Sequence, residues 1–284
     1  ASVMANYTNS EALEIWTDVS GVFSANPKIV KNSKAIESLS YKEAMELSFF
    51  GAKVIYFPTL QPLIEKSIPA YIKNTFDKDA IGTCISNKGE NNEESTIKGI
   101  SHIEKISLIN FEGSGMVGVP GFSKRFFGAL SERGINVIMI TQASSEFSIC
   151  VAVKESDANN AKISIDKEFE YEISQRKINE CQIENSLSNI AIVGDKMKSK
   201  KGVSGKLFST LGNNNINIRA IAQGASERNI SIIIDEKDNT KALNSLHEAF
   251  FENNCKNLHL FITGVGNVGS NLIRQISDQK KSLE

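Results

Sequence analysis

The sequence predicts a chain of mixed α/β and α+β class in three parts: a partial α/β layer, a sheet-and-helix unit present twice, and a closing strand, glycine turn and helix. Three observations predict it. Pro-broken apolar runs and a capped helix fill the first 86 residues, a gapless internal repeat fills the middle, and Gly264-Val265-Gly266-Asn267-Val268-Gly269 follows an apolar run near the end. With 40% hydrophobic residues among 284, the chain can bury more than one core.

Along the chain, Ala1 to Asn6 read as the tail of a helix without a start signal, so the chain is expected to be a piece of a larger protein. Thr8, Asn9 and Ser10 form a turn before a short strand, Ala12 to Trp16. Ser40-Tyr41-Lys42-Glu43 has capping-box spacing, in which Ser40 accepts from an early helix N–H and Glu43 reaches back; Gly51 stops that helix. Lys53 to Phe57 reads as a strand ended by Pro58, and a second Pro-marked stretch leads through Ile72-Lys73-Asn74 to Gly82 and Ile85. Asn87 to Ser95 is polar and charged, the composition of a solvated linker. Residues 1–86 therefore form the first domain and 87–96 the linker.

Beyond the linker, shifting Gly121 onto Gly202 superimposes Ser123 on Ser204, Phe127 on Phe208, Leu130 on Leu211, Asn136 on Asn217 and Gln142 on Gln223 without a gap. The match runs on through Glu146 and Glu227 to Ile149 and Ile230, which implies two copies of one supersecondary unit. Each copy reads βαββα: a strand (Ile106 to Phe111; Asn189 to Val193), a Gly-containing loop and a helix with apolar residues such as Phe122, Phe126, Ala129 and Leu130 at helical spacing. Two strands follow (Ile135 to Thr141 and Phe147 to Val153; Ile216 to Ala222 and Asn229 to Asp235), then a second helix (Asp157 to Glu168; Asn239 to Phe251). Tyr171 to Ser174 is expected to complete the first sheet, and Ile97 to His102 the second, so the units share chain. The paired units occupy 97–256, with repeat 1 at about 104–175 and repeat 2 at about 187–252 plus strand 97–102. Residues 257–284 begin the last part, where Leu258 to Thr263 is an apolar strand and Ser270 to Ile276 suits a helix.

Lys plus Arg (32) nearly balance Asp plus Glu (33), so no broad basic field is available to hold nucleic acid or an anionic membrane surface. No apolar run approaches the roughly 20 residues needed to span a bilayer, and no secretory signal opens the chain, so a cytoplasmic protein is expected. Cys84, Cys150, Cys181 and Cys255 form no C-x-x-C pair, and His102, His247 and His259 show no ligand spacing; no metal site is expected. Ser144, Ser145 and Glu146 have no histidine nearby in sequence and are not read as a hydrolase site.

The chemistry lies in the repeats. In each, a Gly-rich loop (Glu112-Gly113-Ser114-Gly115 through Pro120-Gly121; Gly194 through Gly202) enters a helix N-terminus whose free N–H groups and positive end suit a carboxylate. Gln142 and Gln223 follow a mostly apolar strand, each with one acceptor and two donors for a small polar ligand. Asn136 and Asn217 begin the same strands as turn residues or ligand contacts. At the end of the chain, strand, G-x-G-x-x-G and helix form the context of a dinucleotide fingerprint, with Gly264, Gly266 and Gly269 letting the backbone approach a pyrophosphate.

The segments I-T-Q-A-S-S-E-F-S-I (Ile140 to Ile149) and I-A-Q-G-A-S-E-R-N-I (Ile221 to Ile230) resemble the tandem ACT domains of aspartate kinases. Glu14 to Lys28, Leu39 to Val54 and Ile72 to Phe76 resemble the nucleotide-binding half of an amino-acid-kinase domain. By that resemblance Thr17, Asp18, Lys28 and Lys53 surround ATP, although Ser20, Asn26, Lys28 and Tyr56 stand where the family usually has aspartate, aspartate, arginine and histidine. The family's Lys-Gly-Gly segment and aspartate-binding residues are absent, so no catalytic residue is assigned and the piece alone is expected to be inactive. With a Rossmann start following, the order resembles the bifunctional aspartokinase–homoserine dehydrogenase family. That implies a parent using ATP with Mg and NADP, an amino-acid effector (threonine first, lysine or methionine next) and homo-oligomers built through ACT sheets.

Overall fold

The computed structural model describes residues 1–49, 56–87, 96–142, 147–224, 228–252, 262–264 and 266–278. A four-stranded sheet comes first, in the order β1-β3-β4-β2. β1 (Leu13–Thr17) runs parallel to β3 (Ala70–Asn74), β4 (Thr83–Ser86) is antiparallel to β3, and β2 (Ser38–Ser40) is parallel to β4. Around it pack α1 (Ser2–Tyr7), α2 (Tyr41–Phe49) and α3 (Phe57–Lys66), burying Leu39, Leu47, Leu60, Leu63, Ile72 and Ile85. The capping box at the start of α2 is formed in both directions: the Ser40 N–H donates to Glu43 Oε2 at 2.9 Å and the Glu43 N–H to Ser40 Oγ at 3.1 Å.

The strand expected to end at Pro58 is corrected at its close. Lys53 and Gly51 lie outside the described residues, but Phe57 opens α3, with Pro58 in the first turn. A proline costs nothing there, because the N–H it lacks would have no helical partner.

The repeats form one six-stranded antiparallel sheet, β6-β7-β5-β8-β10-β9. Its spine is two long strands, β5 (Gly99–Glu112) and β8 (Gln182–Val193). Upstream, Gly99 to Ile103 pairs with Val193 to Asn189; downstream, Leu108, Ile109 and Asn110 pair with Glu184, Ile183 and Gln182. Each long strand therefore serves both units, and each breaks register midway. Lys105 and Ser186, equivalent positions of the repeat, take left-handed φ of 55° and 58°. In an L-residue that conformation marks a deliberate kink.

The first unit continues with α4 (Phe122–Glu132), β6 (Met139–Gln142), β7 (Ser148–Lys154) and α5 (Ala158–Glu168); the second with α7 (Val203–Asn213), β9 (Ile218–Ala222), β10 (Asn229–Asp235) and α8 (Asn239–Phe251). The strands expected from Ile135 and Ile216 start later, because those isoleucines are buried where the chain leaves the preceding helix. The expectation that Tyr171 to Ser174 closes the first sheet is overturned, since these residues lie in α6 (Glu170–Ser174). Ile165, Phe169 and Ile173, spaced four apart, keep one helical stripe on the core, and Tyr171 faces outward at 71% exposure. The closing strand is the first half of β8.

Each unit has its own core under its helices. The first is aromatic, around Phe111, Phe126 and Phe169. The second is aliphatic, around Ile190, Ile192, Leu207, Ile232 and Leu246, and takes in Ala25 and Val30 from the first domain. A third cluster, including Ile106, Leu108, Met139, Leu187 and Ile233, fills the sheet's opposite face. At the end of the chain α9 (Asn267–Asp278) presents Val268, Leu272 and Ile273 to solvent. Of the strand expected at Leu258 to Thr263, only Ile262 and Thr263 are described, and neither is in a strand; no neighbour to pair with them is present among the described residues. No helix among the described residues is long and apolar enough to cross a membrane.

Candidate functional site

After β5 the chain makes a short helical turn, Ser114–Met116, held by Gly113 N–H to Phe147 O (3.0 Å) and Gly115 N–H to Lys177 O (2.9 Å). Met116 buries its side chain and anchors the loop. Gly121 then takes φ of 94° at the N-cap of α4, a conformation glycine adopts without strain. The helix buries Phe122, Phe126, Ala129 and Leu130, which leaves its N-terminal end facing a cavity of about 630 Å³. Gly118, Gly121, Ser123, Lys124 and Gln142 line that cavity over a floor of Met116 and Ile149. Gln142 is the last residue of β6, so the sheet brings the expected glutamine to the expected loop.

The lining is chemically lopsided. A helix N-terminus and the Lys124 ammonium offer positive potential, the Gln142 amide and Ser123 hydroxyl offer hydrogen bonds, and no carboxylate is among the described lining residues. Such a site suits an anionic group on a small polar ligand. Lys124 is the contributor that sequence reasoning missed; its place three residues beyond Gly121, on the exposed side of the first helical turn, was the available signal.

Other expected site residues lie elsewhere. Asn136 is exposed ahead of β6, at the end opposite Gln142, and Asn217 precedes β9 in the same way; neither lines this cavity. Gln223 is exposed immediately after β9, and the loop before it repeats the first, with Gly202 at φ of 88° as the N-cap of α7. A second cavity of about 810 Å³ lies between β6 and β9, where Gln142 meets Asn110, Gln182, Glu184 and Arg219; Arg219 pairs with Glu184 at 3.3 Å and Asp235 at 3.1 Å. Gln142 therefore lines two cavities, and Gln223 neither. Ser144, Ser145 and Glu146 lie outside the described residues.

In the first domain Thr17 ends β1 on the carboxyl edge of a parallel pair, where open α/β sheets bind ligands, and its hydroxyl donates to Asp18 Oδ1 at 3.0 Å. Lys28 lies between β1 and β2 with its N–H on Asn26 Oδ1, and Lys53 is outside the described residues. Thr17 and Asp18 thus lie together at that edge, while nothing described brings Lys28 to them. At the chain's end Gly264 has φ of 91°, and a Cβ on Gly269 would lie 2.2 Å from the Gly264 carbonyl oxygen. Gly264 and Gly269 thus approach closely, and Gly266 lies exposed between them in sequence.

Among the described residues no cluster of three or more His, Cys, Asp or Glu could hold a metal. Burial pushes the Cys150 thiol up to about 11 and the Cys181 thiol higher still, so both are inert at neutral pH.

The first domain meets the second unit around a buried histidine. Ser24 Oγ accepts the Lys34 N–H at 3.0 Å and lies in hydrogen-bond contact with His247 Nε2 at 2.9 Å; His247 stacks on Phe251, and its Nδ1 is 3.7 Å from Glu252. Burial lowers the His247 pKa below 6.5, against the smaller opposing pull of Glu252, and burial lowers His102 likewise against Glu104. The folded state thus refuses protons that the unfolded chain takes up below about pH 6.5, and stability falls on acidification. Thermal melts should show the midpoint dropping between about pH 7 and 5.5, with a smaller drop in His247→Asn. Equal drops would show that the junction is not responsible.

Comparison with known proteins places these parts. The ACT domain family matches residues 109–169 and 190–250, and the amino acid kinase family matches 1–74. A bifunctional aspartokinase/homoserine dehydrogenase of Haemophilus influenzae is 41% identical over 283 residues, covering 100% of this chain and 34% of the relative. The chain thus spans about a third of that protein's length. Among solved structures, Clostridium acetobutylicum aspartate kinase superposes with a TM-score of 0.78 at 31% identity, over 88% of this chain and 56% of that one. Escherichia coli aspartokinase III in complex with lysine and aspartate superposes with a TM-score of 0.72 at 27% identity, over 89% and 54%.

Proposed function

This chain belongs to the aspartokinase family, and on that premise we propose that it is the amino-acid-sensing regulatory region of a bifunctional aspartokinase–homoserine dehydrogenase, with part of the kinase domain attached. The parent is a cytoplasmic enzyme that phosphorylates L-aspartate with Mg-bound ATP and reduces aspartate semialdehyde with NADPH. Thr17 and Asp18 face the ATP, and Gly264, Gly266 and Gly269 cradle the NADP pyrophosphate. The observation that carries the sensing role is the cavity joining the N-terminus of α4 to Gln142.

A free amino acid fits that cavity by its parts. Its carboxylate meets the N–H groups beyond Gly121 and the Lys124 ammonium, while the Gln142 amide and Ser123 hydroxyl read the remainder. Threonine is favoured over lysine, because no carboxylate among the described lining residues is available for a second ammonium, and desolvating an unpaired charge is costly. Lysine remains the specific alternative, since one superposed aspartokinase was crystallised with it. Binding shifts the parent between two conformations by as much as the ligand's affinity for them differs. Ile140 and Phe147, 52% and 42% exposed, give this end of the sheet an apolar outer surface, and a second copy of the chain covers it in the oligomer.

Calorimetry of this chain against threonine, lysine and methionine tests the reading. Threonine is expected to bind, and Gln142→Ala to weaken it by about 1–3 kcal/mol, the usual cost of an unpaired buried ligand group. Gln223→Ala, at a position that lines neither cavity, is expected to weaken binding only where the second unit holds a ligand of its own, and Asn136→Ala and Asn217→Ala are expected to leave binding unchanged. Binding of lysine alone would reassign the effector, and binding of none would end the proposal.

A further inference from the structure

The two units differ most where they are otherwise superimposable. Asp195 of the second unit answers to Ser114 of the first, Arg228 to Phe147 and Asn229 to Ser148. In the second unit Asp195 and Asn229 reach α2 of the kinase segment, and Arg228 pairs with Asp195. The Asp195 N–H donates to Glu43 Oε1 at 2.9 Å, and the Ser40 hydroxyl donates to the Asp195 carboxylate at 2.5 Å. Arg228 Nε lies 2.9 Å from Asp195 Oδ1, and the Asn229 amide donates to Glu46 at 2.5 Å. Glu43 is only 4% exposed and is already committed through its other oxygen to capping α2. The core of the first unit, by contrast, draws no residue from the kinase segment.

Placement gives these contacts their meaning. Asp195 opens the loop that ends at Gly202 and α7, and Arg228 and Asn229 follow the turn that begins at Gln223. The Gly194 N–H donates to the Arg228 carbonyl at 2.9 Å, tying loop and turn together. The two segments corresponding to the cavity walls of the first unit are thus, in the second, fastened at their far ends to one buried carboxylate of the kinase segment and its neighbour Glu46.

We propose that Glu43, Asp195, Arg228 and Asn229 form a relay that makes the second unit the transmitter between the sensing module and the kinase segment. Among the described residues the first unit, bearing Ser114, Phe147 and Ser148, makes no such contact with α2. The network is coupled at its one buried member, because removing the Glu43 carboxylate leaves the Asp195 and Ser40 N–H groups without their acceptor. The ligand-dependent part of this inference rests on the sensing role proposed above; the mechanical part does not.

Amide hydrogen exchange on the whole chain tests both. Without ligand, Glu43→Gln is expected to speed exchange at the Lys206 amide, bonded to Gly202 O at 2.9 Å, by about fivefold or more, and to leave the Arg125 amide on Gly121 O at 3.1 Å unchanged. Arg228→Phe, which copies the first unit at a residue 36% exposed, should do the same without burying a new polar group. Unchanged exchange at Lys206, or equal changes at Lys206 and Arg125, overturns the relay whether or not an amino acid binds. With threonine, exchange across α2 should respond in the wild type and not in either variant, while calorimetry still records binding. A response of α2 that persists in both variants overturns the relay; absence of binding in the wild type removes the sensing role, and the ligand-free comparison still decides the relay.

Discussion

Phe111→Ala is expected to destabilise the chain by about 3–5 kcal/mol, the usual cost of emptying a buried aromatic site. Phe111 is fully buried on β5, with the ring of Phe126 5.6 Å and that of Phe169 4.7 Å away. Phe122 stacks on Phe169 at 5.0 Å, and the Arg125 guanidinium covers Phe169 from outside at 4.3 Å while pairing with Glu168 and Glu172. Those two carboxylates raise the Arg125 pKa, and Arg125 keeps the Glu172 carboxyl below its usual range. How far the Phe126 and Phe169 rings close over the emptied site sets where in that range the loss falls. Against a typical total of about 5–15 kcal/mol, that loosens or unfolds the first unit. Urea unfolding followed by circular dichroism reads it, and because Phe122 and Met116 wall the ligand cavity, binding should disappear together with the near-ultraviolet signal. A loss below about 1 kcal/mol would mean that this core repacks and that the cavity does not depend on it.

Much of this was legible in the sequence, for local reasons. The repeat could be read because equivalent residues meet the same packing and turn constraints: Leu130 and Leu211 are buried at the same helical position, and Gly121 and Gly202 share one left-handed N-cap. The capping box at Ser40 could be read because both its hydrogen bonds close within four residues. Gln142 reached the loop cavity because a strand of the repeat leads to it.

What was not legible depends on contacts remote in sequence. Tyr171 to Ser174 has the composition of a short edge strand, and only the burial of Ile165, Phe169 and Ile173 along one stripe keeps it helical. The kinks at Lys105 and Ser186 have no glycine to announce them; they arise because one strand must leave one sheet half and enter the other. The opposite ends reached by Asn136 and Gln142 follow from strand direction, which a list of repeated polar residues does not carry. The clearest hidden feature is the difference between the units, since Asp195 reads as one more charge in the run Asp195-Lys196-Met197-Lys198 until Glu43 is seen against its N–H.

The shared strands make the second large prediction. Removing residues 1–104 would take away the upstream half of β5, which pairs with Asn189 to Val193, together with Ala25, Val30, Ile97 and Ile100 from the core of the second unit. β8 would then expose one edge of a strand whose Ser188 to Val193 side chains are fully buried, and an uncovered apolar edge recruits other chains. The first unit loses none of its own strands, because Ile106 to Glu112 and Gln182 to Glu184 remain. The expected product is thus a chain that self-associates in light scattering and loses exchange protection across α7, β10 and α8, while Phe111, Val151 and their neighbours stay protected. At roughly 25 cal/mol per Å² of apolar surface, the lost isoleucine packing alone amounts to several kcal/mol. A monomeric product with both units equally protected would mean that each unit closes its sheet from its own residues, and the spine of β5 and β8 would no longer account for how the module holds together.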